Sequence, residues 1–392
     1  MILRTSWELA SVGCALLVVV FVVGVRLVPY LPPPAGPFRV GTVLWDIDRS
    51  GTGSIPSVRG GCALSVQLWY PAEPGTGAGH TPYRPGAGLF SAERWVRTGA
   101  TLNAALSSHR TRYPVLLSFP GWAGVRDENT TFVQDLASRG FIVVGIGYDD
   151  PACAEVDRSV GSTAATDMDF SSQTAFERTL GVAHQKIERA AKGASHIIDA
   201  LEVLNRVDPN RRFDGRLDLD RIGVVGYSLG GAIAMQLCWQ DDRLKAAVNI
   251  DGWFFDAVPD GWIEQPFMFI SDDGPPATSA DLDNPDPSQR YRSALIDATT
   301  RRKISEFAKH GGVEVVVLGS DHLDFSDMAY VSRLALLRGR RGDGSAIRTA
   351  ADYSAAFFGQ ILNGEASPLF SNAPPGVRVQ TWERAPQKEG AK

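Results

Sequence analysis

A serine fenced by glycines, Gly226-Tyr227-Ser228-Leu229-Gly230-Gly231, follows the apolar run Ile222-Gly223-Val224-Val225. The pentapeptide 226–230 matches G-x-S-x-G, in which a sharp turn between strand and helix lifts the serine hydroxyl above the end of a sheet. Flanking glycines let the strand and helix approach closely. A helix beginning at Leu229 aims the positive end of its dipole at charge developing near the serine. The chemistry this predicts is nucleophilic attack by Ser228 on an acyl carbon. A Gly-rich turn without chemistry is the competing reading. The apolar strand before the motif and the Ala-rich helix after it favour the nucleophile.

A serine hydroxyl needs a base to become reactive. Of the six histidines, His80 lies in a Gly/Pro-rich loop, His109 in a polar connection, and His184 and His196 on a helical stretch. His310 ends a helix ahead of Gly311-Gly312, where a cation suits the helix dipole. His322 alone follows the last apolar strand, in Gly319-Ser320-Asp321-His322-Leu323-Asp324-Phe325, so it is the expected base. Its competing reading is a loop histidine bonded to Asp321 or Asp324. An acid must orient the imidazole and stabilise its charged form. Asp251 closes the apolar run 246–250, and Asp272 and Asp273 close the next one, 266–270. All stand at carboxyl ends of strands, so position alone leaves Asp251 and the Asp272/Asp273 pair both open.

Gly226-Tyr-Ser-Leu-Gly-Gly231, Asn249-Ile-Asp-Gly-Trp253 and Gly319-Ser-Asp-His-Leu-Asp-Phe325, with the stretch from Tyr113 to Tyr148, together resemble the platelet-activating-factor acetylhydrolase family of α/β-hydrolases, near the dienelactone hydrolases. The resemblance covers roughly residues 60–364. It implies an α/β-hydrolase fold and assigns the acid to Asp251. It places the oxyanion donors at the backbone N–H groups of Leu229 and of Trp122, the latter in Phe119-Pro120-Gly121-Trp122-Ala123. The family often carries His-Gly where this chain has Pro120-Gly121; proline lacks an N–H, but the mapped donor stands two residues on. Trp122, Trp253, Phe254 and Phe255 are candidates for the wall of an apolar acyl site or for ordinary core.

The elements that must hold these residues read as an alternation of strands and helices. Strands are expected over 63–70, 114–119, 141–147, 221–227, 246–250, 266–270 and 313–318, most of them short continuous apolar runs suited to a sheet buried on both faces. Helices are expected over 130–139, 185–206, 229–240, 291–310 and 346–363, the last ending at Gly364. In 185–206, Ile187, Ala190, Ala191, Ala194, Ile197, Ile198 and Leu201 share one helical face. Residues 72–90 and 272–290 read as loops. The fold class is therefore α/β, with a mostly parallel central sheet and helices on both faces, whose sites form at the carboxyl ends of strands. Domain bounds follow as an N-terminal segment 1–30, a Pro-rich linker and first strand 31–59, a catalytic domain 60–364 and a polar, disordered tail 365–392.

The N-terminal segment carries 17 uncharged residues from Leu9 to Val25. That is the lower edge of a bilayer-spanning helix. An uncleaved anchor is expected, with a cleaved signal peptide as its rival, and the domain is placed outside the cytoplasm, membrane-anchored or secreted. In that setting Cys62 and Cys153 are candidates to pair; Cys238 reads as a buried free thiol and Cys14 lies in the apolar segment. The 392 residues are 44% hydrophobic and 21% charged, with a formal charge of −5 and no basic stripe, which argues against nucleic acid as a partner. No CxxC or paired-histidine spacing suggests zinc, and serine chemistry requires no cofactor. The expected activity is a serine carboxylic-ester hydrolase acting on short-acyl or lipid esters. Its rivals are an acyltransferase tethered to the membrane, an amidase or peptidase, and a non-catalytic binding module.

Overall fold

The computed structural model describes residues 31–47, 64–83, 96–147, 168–258, 261–331 and 344–384. Within them, strands β1 (Arg39–Ile47), β2 (Leu64–Ala72), β3 (His80–Pro82), β4 (Arg97–Leu102), β5 (Tyr113–Phe119), β6 (Ile142–Ile146), β7 (Leu217–Tyr227), β8 (Leu244–Ile250), β9 (Phe267–Ser271), β10 (Gly312–Val317) and β11 (Val377–Trp382) join in one sheet. Their order is β11-β10-β9-β8-β7-β5-β6-β2-β1-β4-β3. The run from β6 through β5, β7, β8 and β9 to β10 is parallel throughout. Antiparallel strands flank it, β2 on β6 at one side and β11 on β10 at the other. The helices are α1 (Thr130–Ser138), α2 (Gln173–Arg206), α3 (Leu229–Gln240), α4 (Ser279–Leu282), α5 (Pro287–His310), α6 (Met328–Val331) and α7 (Ser345–Asn363).

The two-sided burial explains the continuous apolar runs. Every residue of β5 is buried. Val115, Leu117 and Phe119 face one cluster with Ile187, Ile197 and Leu201 of α2, Ile233 and Met235 of α3, and Leu295 and Phe307 of α5. Leu116 faces the other, with Phe132 and Leu136 of α1 and Ile347, Phe357 and Phe358 of α7. Alternation along a strand thus serves two cores, and no solvent face leaves a polar mark in the sequence. The observed α/β sheet is mostly parallel, as expected.

Several boundaries differ from expectation. The first strand expected within 31–59 is β1, and because it pairs along its whole length with β2 it belongs to the same sheet as the residues after 60. Helix α2 starts at Gln173, twelve residues before the expected start at 185, where the Ser172 hydroxyl accepts the Ala175 N–H at 3.2 Å. The expected loop 272–290 holds α4 and the first turn of α5, which opens on Pro287 with Asp286 as its cap. The tail is corrected too: Val377–Trp382 is strand β11, paired residue for residue with β10. The apolar segment 1–30, Cys62 and Cys153 lie outside the described residues. Among the described residues no helix is long and apolar enough to cross a membrane. Cys238 is a buried free thiol, its pKa pushed up to about 12 by burial.

Candidate active site

Strand β7 ends at Tyr227 and α3 begins at Leu229, so Ser228 alone makes the turn. Its backbone sits at φ 53°, ψ −123°, a left-handed conformation that L-residues avoid. Two glycines make the turn possible. A Cβ on Gly226 would overlap the Gly230 carbonyl, and one on Gly230 would lie 2.5 Å from the carbonyl oxygens of Phe119 and Pro120. The second contact also shows that the loop after β5 lies against the start of α3. The Ser228 N–H donates to the Ile250 carbonyl at 2.8 Å, and the Asp251 N–H to the Ile270 carbonyl at 2.7 Å. Ser228 and Asp251 therefore stand at neighbouring strand ends.

His322 opens a single 3-10 turn, His322–Phe325, beyond β10. Its Nε2 lies 3.1 Å from Ser228 Oγ and its Nδ1 2.5 Å from Asp251 Oδ2. A carboxylate only accepts, so this pairing sets the tautomer: Nδ1–H donates to Asp251 and Nε2 is left to accept from the serine hydroxyl. Asp251 is 12% exposed and His322 43% exposed, which buries the acid and leaves the imidazole open to an incoming molecule. The other Asp251 oxygen accepts the Asp272 N–H at 3.1 Å. Asp272 thus reaches the site through its backbone, while its own carboxylate accepts the Gly274 N–H. Burial, and then the charge of Asp251, push the Asp272 pKa up. The Asp273 carboxylate accepts the Gly319 N–H at 3.2 Å. Of the three acids left open by position, Asp251 is the one on the imidazole.

Of the two expected oxyanion donors, Leu229 is the first residue of α3, directly after Ser228, and Trp122 lies in the loop after β5. The Trp122 carbonyl accepts from Lys186 Nζ at 3.3 Å, and the same ammonium stands 5.3 Å from the centre of the Trp122 ring. Trp122, Phe255, Trp253 and Phe170 form a chain of ring contacts with centroids 5.8–6.4 Å apart. Phe254 does not join them. It is buried against Trp262 and Phe269 and belongs to the core.

Other residues build the site without having been singled out from sequence. The Tyr227 hydroxyl donates to the His322 carbonyl at 3.0 Å, and its ring stacks on the imidazole at 5.0 Å and 25°. Burial, then the charges of Glu128 and Asp251, hold its pKa well above the usual phenol range, so it remains a neutral donor. The Asn249 side chain is fully buried and clamps the turn after β8, accepting the Gly252 N–H at 2.8 Å and donating to the Gly252 carbonyl at 3.2 Å. Glu128 Oε2 accepts the Gly121 N–H at 2.8 Å. Two of these had a readable signal: Asn249 is a lone amide in an apolar strand, and Lys186 is a cation within the apolar stripe of α2. Nothing in sequence marks the partners of Tyr227 or Glu128.

The family model for platelet-activating factor acetylhydrolase, isoform II, matches residues 89–362. The platelet-activating factor acetylhydrolase of Canis lupus familiaris is 24% identical over 258 residues, covering 60% of this chain and 53% of its own. That of Bos taurus is 25% identical over 273 residues, covering 62% and 54%. The chain therefore spans about half the length of these curated relatives. A ferulic acid esterase from Streptomyces cinnamoneus superposes with a TM-score of 0.58 at 23% identity, over 90% of this chain and 99% of its own, a likeness of fold.

Proposed function

Since the chain belongs to the platelet-activating factor acetylhydrolase, isoform II, family, we propose that it is a serine carboxylic-ester hydrolase with Ser228 as nucleophile, His322 as general base and acid, and Asp251 as the group that orients and stabilises the imidazole. The observation that supports this most is His322, which touches Ser228 Oγ through one ring nitrogen and Asp251 Oδ2 through the other. In the acylation step Ser228 Oγ attacks the ester carbonyl carbon while its proton passes to Nε2. Charge gathers on the carbonyl oxygen, where the N–H groups of Leu229 and Trp122 receive it. The C–O bond of the ester then breaks and Nε2–H protonates the departing alkoxide. Water repeats the sequence on the acyl-serine, giving its proton to Nε2 and releasing the acid.

The substrate class is short-acyl or lipid esters. Trp122 and Trp253 are half-buried and joined through Phe255 by ring contacts; we assign this apolar chain, carried on the loops after β5 and β8, to the acyl group. The uncharged stretch 9–25 is the basis for placing the domain outside the cytoplasm, tethered or secreted.

The test is labelling of the native protein with a fluorophosphonate, beside Ser228→Ala and His322→Ala. Labelling of the native chain and of neither variant supports an activated Ser228. A folded native chain that does not label overturns the hydrolase reading and leaves a binding module in its place.

A further inference from the structure

The loop that carries Trp122 and the loop that carries His322 come from strands at different places in the sheet, β5 and β10, yet both are fastened to one short segment at the start of α1, the first through Glu128 and the second through Glu128, Asn129 and Thr131. The Glu128 carboxylate takes the Gly121 N–H at 2.8 Å, which fixes the Pro120–Gly121 peptide, one unit before the one that carries the Trp122 N–H. The Glu128 carbonyl accepts the Asp327 N–H at 3.2 Å. Asn129 Nδ2 donates to the Phe325 carbonyl at 3.0 Å. The Asp327 carboxylate accepts the Thr131 N–H, at 3.1 Å to one oxygen and 3.3 Å to the other. Asp327 therefore caps α1 from a distant part of the chain, supplying the acceptor that Asn129 at the N-cap position does not. Asn129 and Asp327 are buried, Asp327 completely, so water does not compete for these bonds.

From this geometry we infer that Glu128 and Asp327 are positioning residues which fix the oxyanion loop and the histidine loop to one another, so that proton transfer and charge stabilisation occur at a preset separation. The inference rests on the hydrolase reading above. Its physical basis is that the base and the oxyanion donor act in the same step: Nε2 takes the serine proton as charge reaches the carbonyl oxygen. A displacement of about 1 Å between them costs on the order of 10²-fold in rate, with little effect on ground-state binding.

The experiment uses the full chain and four variants. Glu128→Ala and Asp327→Ala remove the acceptors. Glu128→Gln and Asp327→Asn keep one carbonyl oxygen in place. Melting curves confirm folding. With a 4-nitrophenyl ester, both alanine variants are expected to lose kcat by about 10²-fold at nearly constant KM. Both amide variants should recover most of it. Affinity for butylboronic acid, which forms a tetrahedral adduct on a nucleophilic serine, should fall in step with kcat/KM, while affinity for the product acid stays unchanged. Amide hydrogen exchange tests the linkage without reference to hydrolysis: Glu128→Ala should speed exchange in 320–331 as well as in 119–126, and Asp327→Ala should do the reverse. Near-native kcat in a folded Glu128→Ala protein, or exchange that rises only beside the substituted residue, overturns the inference. Failure of the native chain to label with fluorophosphonate overturns the hydrolase reading alone, and the exchange result still decides the linkage.

Discussion

At the scale of single residues, the site turns on the bond between His322 Nδ1 and Asp251. Asp251→Asn keeps the size and shape of the side chain but can present an N–H to Nδ1, which favours the wrong tautomer. We expect kcat to fall by about 10⁴-fold with KM little changed; steady-state kinetics on a soluble ester would show it, and a loss under tenfold would remove Asp251 from its assigned role. Ser228 and His322 were readable from sequence because each carries a positional sign, glycines around one and the end of the last apolar strand before the other. Which carboxylate meets the imidazole was not readable from position, since Asp251, Asp272 and Asp273 share the same kind of place. Three-dimensional contact separates them: Asp272 turns its backbone N–H to the site and Asp273 turns its carboxylate to Gly319. The stack of Tyr227 on His322 was equally hidden, because side chains 95 residues apart in sequence meet only after the sheet is formed.

At the scale of elements, the legible parts were those buried on two faces. β5, β7 and β8 announce themselves as apolar runs because both cores select for the same residue types. β11 did not. In Val377-Arg-Val-Gln-Thr-Trp382, the two valines are partly buried against one core and Trp382 against the other, with exposed residues between them, and the sequence around it is polar. It nonetheless pairs fully with β10, and Trp382 packs edge-on against the buried Phe307 at 5.0 Å. Replacing Trp382 by alanine should cost about 1–2 kcal/mol, less than the loss of a fully buried aromatic, because the ring is partly exposed. Urea unfolding of the variant checks this; an unchanged midpoint would mean that β11 contributes pairing alone. The first turns of α2 were missed for a related reason: ahead of residue 185 the stripe keeps its helical spacing at Phe176, Leu180 and Ala183 but thins to about one apolar residue per turn, where the middle of the helix has nearly two.

At the scale of the whole molecule, one buried acid ties stability to pH. Burial pushes the Asp327 pKa up to about 7, against the opposing hydrogen bonds from Thr131 and Thr130 and with a smaller push from the charge of Asp127. In the unfolded chain the same group ionises near 3.8. Between those values the folded state holds a proton that the unfolded state has released. This group's contribution to stability is therefore complete below pH 4 and is lost as pH rises toward 7, by at most about 1.4 kcal/mol per pH unit. Unfolding free energies from pH 5 to 8 should fall more steeply for the native chain than for Asp327→Asn; parallel curves would show that Asp327 is ionised throughout. The left-handed backbone of Ser228 carries a different consequence, one of selection. A glycine there would adopt φ 53° without steric cost, so Ser228→Gly should melt several degrees higher than Ser228→Ala and at or above the native chain. If it does, a population of this protein bred for heat resistance alone would discard its serine early, and the persistence of Ser228 would mark a trait kept at the expense of durability.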